Sequence, residues 1–147
     1  RFEDDKGPSF FVWTSRDPNA GWLQRAQIIK GWVEGGQSRE KIYDVACSDG
    51  LSPDPKTHRC PNNEAKVNLS DCSVTSDRGN VMLKAVWQDP DFSPQEHAYY
   101  YVRVLENPSC RWSTWDAIRL GIEPNPDLAA THQERAWSSP IWVTTQK

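Results

Sequence analysis

The stretch CRWSTWDAIRLG, Cys110 to Gly121, gathers two Trp, two Arg, an Asp and a Cys into one short run. Guanidinium groups hold anions, indole rings stack on sugars or on other proteins, and a cysteine forms a bridge or attacks an electrophile. The spacing argues first for structure. Ser113-Thr114-Trp115-Asp116 has the form of a capping box, and Gly121 suits the residue just past a helix end. The stretch reads as a short helix from about Thr114 to Leu120, with Trp115, Ile118 and Leu120 turned inward and Arg111 and Arg119 outside.

Other catalytic patterns are missing. His58, His97 and His132 are far apart, and none stands in an HxH or HExxH spacing, so the sequence offers no metal-ligand set. The pairs Asp4/Asp5 and Asp89/Asp91 invite a calcium or general-acid reading, but Asp89-Pro90-Asp91 is more simply a turn, without the run of oxygen ligands an EF-hand needs. There is no GxSxG, no Walker loop and no Cys with a nearby His base. Asn68-Leu69-Ser70 is a glycosylation sequon, relevant only in a eukaryotic secretory pathway.

Four cysteines without CxxC spacing favour two disulfides in an oxidising compartment over four buried thiols. Three connectivities are possible. The short Pro/Asn-rich loop between Cys60 and Cys72 favours pairing those two, which leaves Cys47 with Cys110. Eight Trp in 147 residues is the compositional outlier. Most should lie in the core or an interface, since burying an indole removes a large apolar area from water. An exposed row that stacks on sugar rings is the carbohydrate-binding alternative.

The elements that must position these residues are strands. Phe10 to Trp13 reads as an edge strand, and Trp22 to Val33 as a long strand or one with a bulge near Gly31. Gly35-Gly36 turns the chain into Lys41 to Cys47, which makes a hairpin. Residues 48–65 read as an irregular loop pinned by Cys60, Lys66 to Val74 as a further strand, and Asn80 to Gln88 as a clear alternating one. His97 to Glu106 is the strongest strand, and Ala136 to Thr144 closes the chain at a sheet edge because Pro140 lacks an N–H. The pattern predicts an all-β, immunoglobulin-like antiparallel β-sandwich with one short helix in the loop before the last strand. Residues 1–9 read as a linker or domain boundary and 10–147 as the sandwich domain. The opening at Arg1, without Met, reads as a processed form or a piece of something longer.

A net charge of −3 with no basic block lacks the footprint that nucleic acid selects. No apolar run is long enough to span a membrane as a helix.

Four separated runs, IIKGWVEGGQSREKIYDVACSDG, AVWQDPDF, HAYYYVRVLENPSCRWSTWDAIRLG and QERAWSSPIW, resemble in that order the C-terminal part of the family called domain of unknown function 3604. The resemblance runs from about Phe10 to Trp142. It implies a long, exported bacterial protein, periplasmic or extracellular. Its N-terminal part would resemble a polymerase-and-histidinol-phosphatase type metal hydrolase, in which a GDLHxHT-like sequence begins a His and Asp/Glu ligand cluster. Zinc, iron or manganese would sit there and activate water on an ester. This sequence contains no such motif, so the resemblance places the metal ligands outside it and leaves this chain without a cofactor. The expected partner is that N-terminal domain, with carbohydrate binding or self-association as alternatives. Arg111, Trp112, Trp115, Arg119 and Arg135 are then the candidate binding or interface residues, the three arginines for an anionic substrate. A plain internal ion pair, such as one from Glu134, is the competing role for each arginine.

Overall fold

The computed structural model describes residues 7–144. Asp4/Asp5 and most of the 1–9 boundary segment lie outside them. Antiparallel strands dominate: β1 (Ser9–Ser15), β2 (Leu23–Glu34), β3 (Gln37–Cys47), β4 (Met82–Gln88), β5 (Ala98–Glu106), β6 (Ser109–Cys110), β7 (Thr131–His132), β8 (Arg135–Trp137) and β9 (Ile141–Val143). One helix, α1 (Trp112–Leu120), lies between β6 and β7. The large sheet has the order β3-β2-β5, with β8 and β9 both on the far side of β5. The small sheet pairs β1 with β4, and β6 with β7 makes a short ribbon. The two main sheets face each other across a core of Val12 and Leu83 on one side and Ala26, Ile28, Ala98, Tyr100 and Val143 on the other. This is the predicted all-β sandwich with one short helix. An immunoglobulin-like subtype would need a second sheet of three or four strands. Among the described residues the second sheet has two.

The central strand alternates imperfectly because it is covered on both faces. Ala26 and Ile28 face the small sheet, while Gln27 and Ile29 are equally buried on the opposite side. Of the two readings of this segment, the single long strand holds and the bulge near Gly31 does not: the register shifts fall between Leu23 and Arg25 toward β5, and between Ala26 and Gln27 toward β3. Gly31 is needed for another reason, since a Cβ there would overlap the Tyr99 ring packed on its backbone. Lys66 to Val74 is not a strand. It makes only the isolated pairing of Val67 with Val74, because Asn68 and Asp71 close local turns by accepting the N–H groups of Ser70 and Ser73. The closing strand is split into β8 and β9 around Ser138-Ser139-Pro140, at the edge where Pro140 placed it.

The disulfide pairing is also corrected. Cys47 joins Cys60, and Cys72 joins Cys110. A short loop between cysteines lowers only the entropy cost of closure. Here a buried carboxylate decides instead. Asp44 is fully buried on β3 and accepts hydrogen bonds from the Cys60 N–H at 2.7 Å and from Gln27 at 2.6 Å, which brings Cys60 back beside the end of β3. Cys72 is then left to tie the 61–80 loop to the start of α1.

A second buried charge joins the sheets. Lys30 projects from β2 into the core side, and its ammonium lies 2.8 Å from Asp89, Glu96 and the Asp91 carbonyl. The Glu96 contact is an ion pair off hydrogen-bond geometry. Asp89 also accepts the Tyr100 hydroxyl at 2.8 Å, and Asp91 accepts the Tyr43 hydroxyl and the Lys41 ammonium. The turn after β4 is thereby fastened to β2, β3 and β5. Burial alone would lower the Lys30 pKa, but the close contacts with the Asp89 and Glu96 carboxylates outweigh it and hold the group above the ordinary lysine value. Burial, then hydrogen bonds to Asp91 and Asp89, push the Tyr43 and Tyr100 hydroxyls up as well.

Lys30→Met strands two carboxylates and is expected to cost about 3–5 kcal/mol in urea unfolding at neutral pH, with Lys30→Met/Asp89→Asn costing less than the sum of the two single changes. All three raised groups hold their protons longer in the folded chain. Their stabilisation is therefore complete below about pH 10 and lost as pH rises above it. Urea midpoints measured from neutral to strongly alkaline pH should fall steeply beyond that point, and a flat profile would contradict the clamp. Non-reducing peptide mapping should recover Cys47 linked to Cys60 and Cys72 linked to Cys110.

Candidate functional site

The small sheet covers only part of the large one. β4 lies over β3 and β2, and β1 over β2 and, through Phe10 against Tyr100, the first half of β5, so the inner face of the second half of β5, at Val102 and Val104, and of β8 runs out beyond it. Ile141, opposite buried Tyr100 in register, is 56 % exposed, and Ala136 beside Val104 is exposed too. Between β1 and β8 opens a cleft of about 570 Å³, floored by Val12, Leu23, Val102 and Val104.

One wall is the outer edge of β1, unpaired among the described residues, and the other is β8, itself the edge strand of the large sheet. The Arg16 N–H donates to the Val81 carbonyl at 2.9 Å, in phase with the β1–β4 register, so the even-numbered residues of β1 bond to β4. The backbone groups of Phe11, Trp13 and Ser15 therefore point outward. On β8, Glu134 and Ser138 make the backbone bonds to β5, which leaves Arg135 and Trp137 with outward N–H and C=O groups. Side-chain alternation turns Trp13 and Phe11 onto the outer face of the small sheet, beside Met82 and Val86. All four are exposed, Val86 by 77 %, and the Lys84 ammonium lies 4.4 Å over the Trp13 ring. An apolar sheet face next to an unpaired edge is rare on an isolated domain.

One end of the cleft is charged. The Glu106 carboxylate accepts the Gly21 N–H at 2.9 Å, and Asp17 and Glu134 stand near it. Burial raises the Glu106 pKa, the Gly21 bond lowers it, and repulsion from Glu134 raises it again. Arg16 is engaged: it donates to the Asp17 and Pro18 carbonyls and stacks 4.3 Å over Trp22.

Of the residues singled out by sequence, only Arg135 lines this cleft. The helix starts earlier than predicted, with Arg111 at its N-cap, no side-chain cap from Ser113, and Gly121 left-handed at its end as expected. Thr114 is drawn inward because its hydroxyl donates to the Ala130 carbonyl at 2.8 Å, and with Ala117 it forms the buried face. The expected inward set is corrected accordingly. Ile118 is half-buried, but Leu120 and Trp115 are exposed, with the Arg119 guanidinium 5.4 Å over the Trp115 ring. Trp112 is 65 % exposed. Glu134 pairs with His132 at 2.6 Å, and among the described residues no ion pair holds Arg111, Arg119 or Arg135. The buried Arg111 Nε and His132 Nδ1 have no hydrogen-bond partner among the described residues. The four cysteines are all bridged, and among the described residues no three His, Cys, Asp or Glu side chains converge as a metal site.

Sequence reasoning missed the cleft and the apolar patch of Phe11, Trp13, Met82 and Val86. The signal was present, since Phe11, Trp13 and Val86 occupy the solvent side of strands whose core side is already apolar. A strand apolar on both faces expects two covers.

Neither a curated protein nor a solved structure matches the chain. The family model described as protein of unknown function (DUF3604) matches residues 1–145. The chain belongs to the DUF3604 family.

Proposed function

We propose that this chain is a noncatalytic C-terminal β-sandwich domain of a longer, exported, metal-dependent hydrolase-like protein, and that it packs against the catalytic domain of the same polypeptide. The observation that carries the reading is the unfinished sandwich: among the described residues, an apolar outer face and an unpaired edge on the small sheet, beside a large sheet left partly bare. Such a surface is costly for a free-standing secreted module and ordinary for a domain with a permanent neighbour. The two disulfides fit folding in an oxidising compartment, periplasmic or extracellular. Metal chemistry belongs to the preceding domain, and no hydrolytic step is routed through this chain.

Trp112 and Trp115, exposed together on α1, favour a second reading as a carbohydrate-binding module. Alternation turns Trp13 and Trp137 away from the cleft, so a sugar platform would sit at the helix.

Sequencing the coding gene upstream of Arg1 tests the first reading. A continuous frame carrying a signal peptide and a GDLHxHT-type ligand cluster is expected, and a start codon or signal sequence immediately before Arg1 would overturn it. For the second, glycan capture by the chain should be abolished by Trp112→Ala or Trp115→Ala, and absent or unaffected capture would count against it.

A further inference from the structure

Resting on that reading, we infer that the cleft between β1 and β8 receives an extended segment of the preceding domain, which pairs with the free edge of β1 and lays apolar side chains on Val102 and Val104. The occupant is a strand because, among the described residues, the backbone groups of Phe11, Trp13 and Ser15 on the edge of β1 point outward unpaired beside the apolar floor. A small-molecule ligand leaves that row unmatched, whereas an added strand satisfies it with one ladder. Its side chains alternate, so the residues facing inward fill the apolar floor and those facing outward extend the patch of Phe11 and Trp13.

Charge sets the polarity of the occupant. The end of the cleft beside Ser15 carries Asp17 and Glu106, with Glu134 beside them paired to His132, while Arg16 is held by backbone carbonyls and Trp22. A Lys or Arg on the incoming strand is the complement to that end.

A second copy of the domain fits poorly. Pairing β1 with its own counterpart across a two-fold axis makes a continuous small sheet, but both copies then bring an overhanging β5 and β8 into the same space. The overhang needs a strand in the layer of β1 without a large sheet behind it.

The test compares hydrogen exchange in this chain alone and in the full-length polypeptide, with hydroxyl-radical footprinting of Trp13 and Met82 alongside. Amides of Phe11, Trp13 and Ser15 should exchange at least ~100-fold more slowly in the full-length protein. Ser15→Pro should abolish that protection while Ser15→Ala keeps it. Proline at position 15 removes an outward N–H and leaves the Arg16 bond to β4 intact. Footprinting protection without amide protection would overturn strand addition and leave domain docking standing. No protection of either kind would overturn both. Amide protection in the isolated chain that grows with concentration would assign the edge to a second copy and overturn the inference.

Discussion

Two strands cannot cover a sheet four strands wide. A sandwich is stable when each sheet buries its apolar face against the other, and here β1 and β4 lie against β2, β3 and the first half of β5, while the inner face of β5 at Val102 and Val104 and that of β8 extend beyond them. The bare floor of the cleft and the unpaired edge of β1 both follow from this one mismatch in width. The outer face of the small sheet adds to it, because Phe11, Trp13 and Val86 give that sheet a second apolar side with nothing upon it. The part of the molecule that is complete and the part that is open meet along a single strand.

Polar groups fix where the small sheet sits. Three oxygens from the segment after β4 converge on the Lys30 ammonium, and the same segment receives hydroxyls from Tyr43 and Tyr100. A buried charge cluster of this kind adds little net stability over apolar packing, but it penalises every arrangement that separates its members. Asp44 acts similarly on the opposite face of the large sheet, gathering Gln27, Arg25, Arg59 and the Cys60 N–H. Beneath the long 48–80 loop, Asn63 bonds Gln24, Ser48 and Asn107, while Asp49 accepts the Gly79 N–H. A loop so rich in Pro and Asn has little apolar surface to bury, and amide hydrogen bonds hold it in place.

The fold was legible where local chemistry decides it. Alternation marked β4 and β5, the Gly35-Gly36 turn marked the hairpin, and Gly121 marked the end of the helix. What the sequence hid depends on partners distant along the chain. The start of α1 is set by the Thr114 bond to Ala130, the disulfide pairing by Asp44, and the glycine at position 31 by the Tyr99 ring on the neighbouring strand. The candidate site was legible only at Arg135. Trp112, Trp115 and Arg119 drew notice because their types are rare and clustered, yet they lie apart from the cleft, whose walls are backbone and carry no residue signature.

The central claim is that the open side of this sandwich is an interior surface of a larger molecule. A crystal or electron-microscopy structure of the full-length polypeptide tests it most directly. The account predicts Phe11, Trp13 and Val86 buried against the preceding domain, with the floor of the cleft covered. A structure in which those side chains face solvent and the cleft stands empty would contradict it.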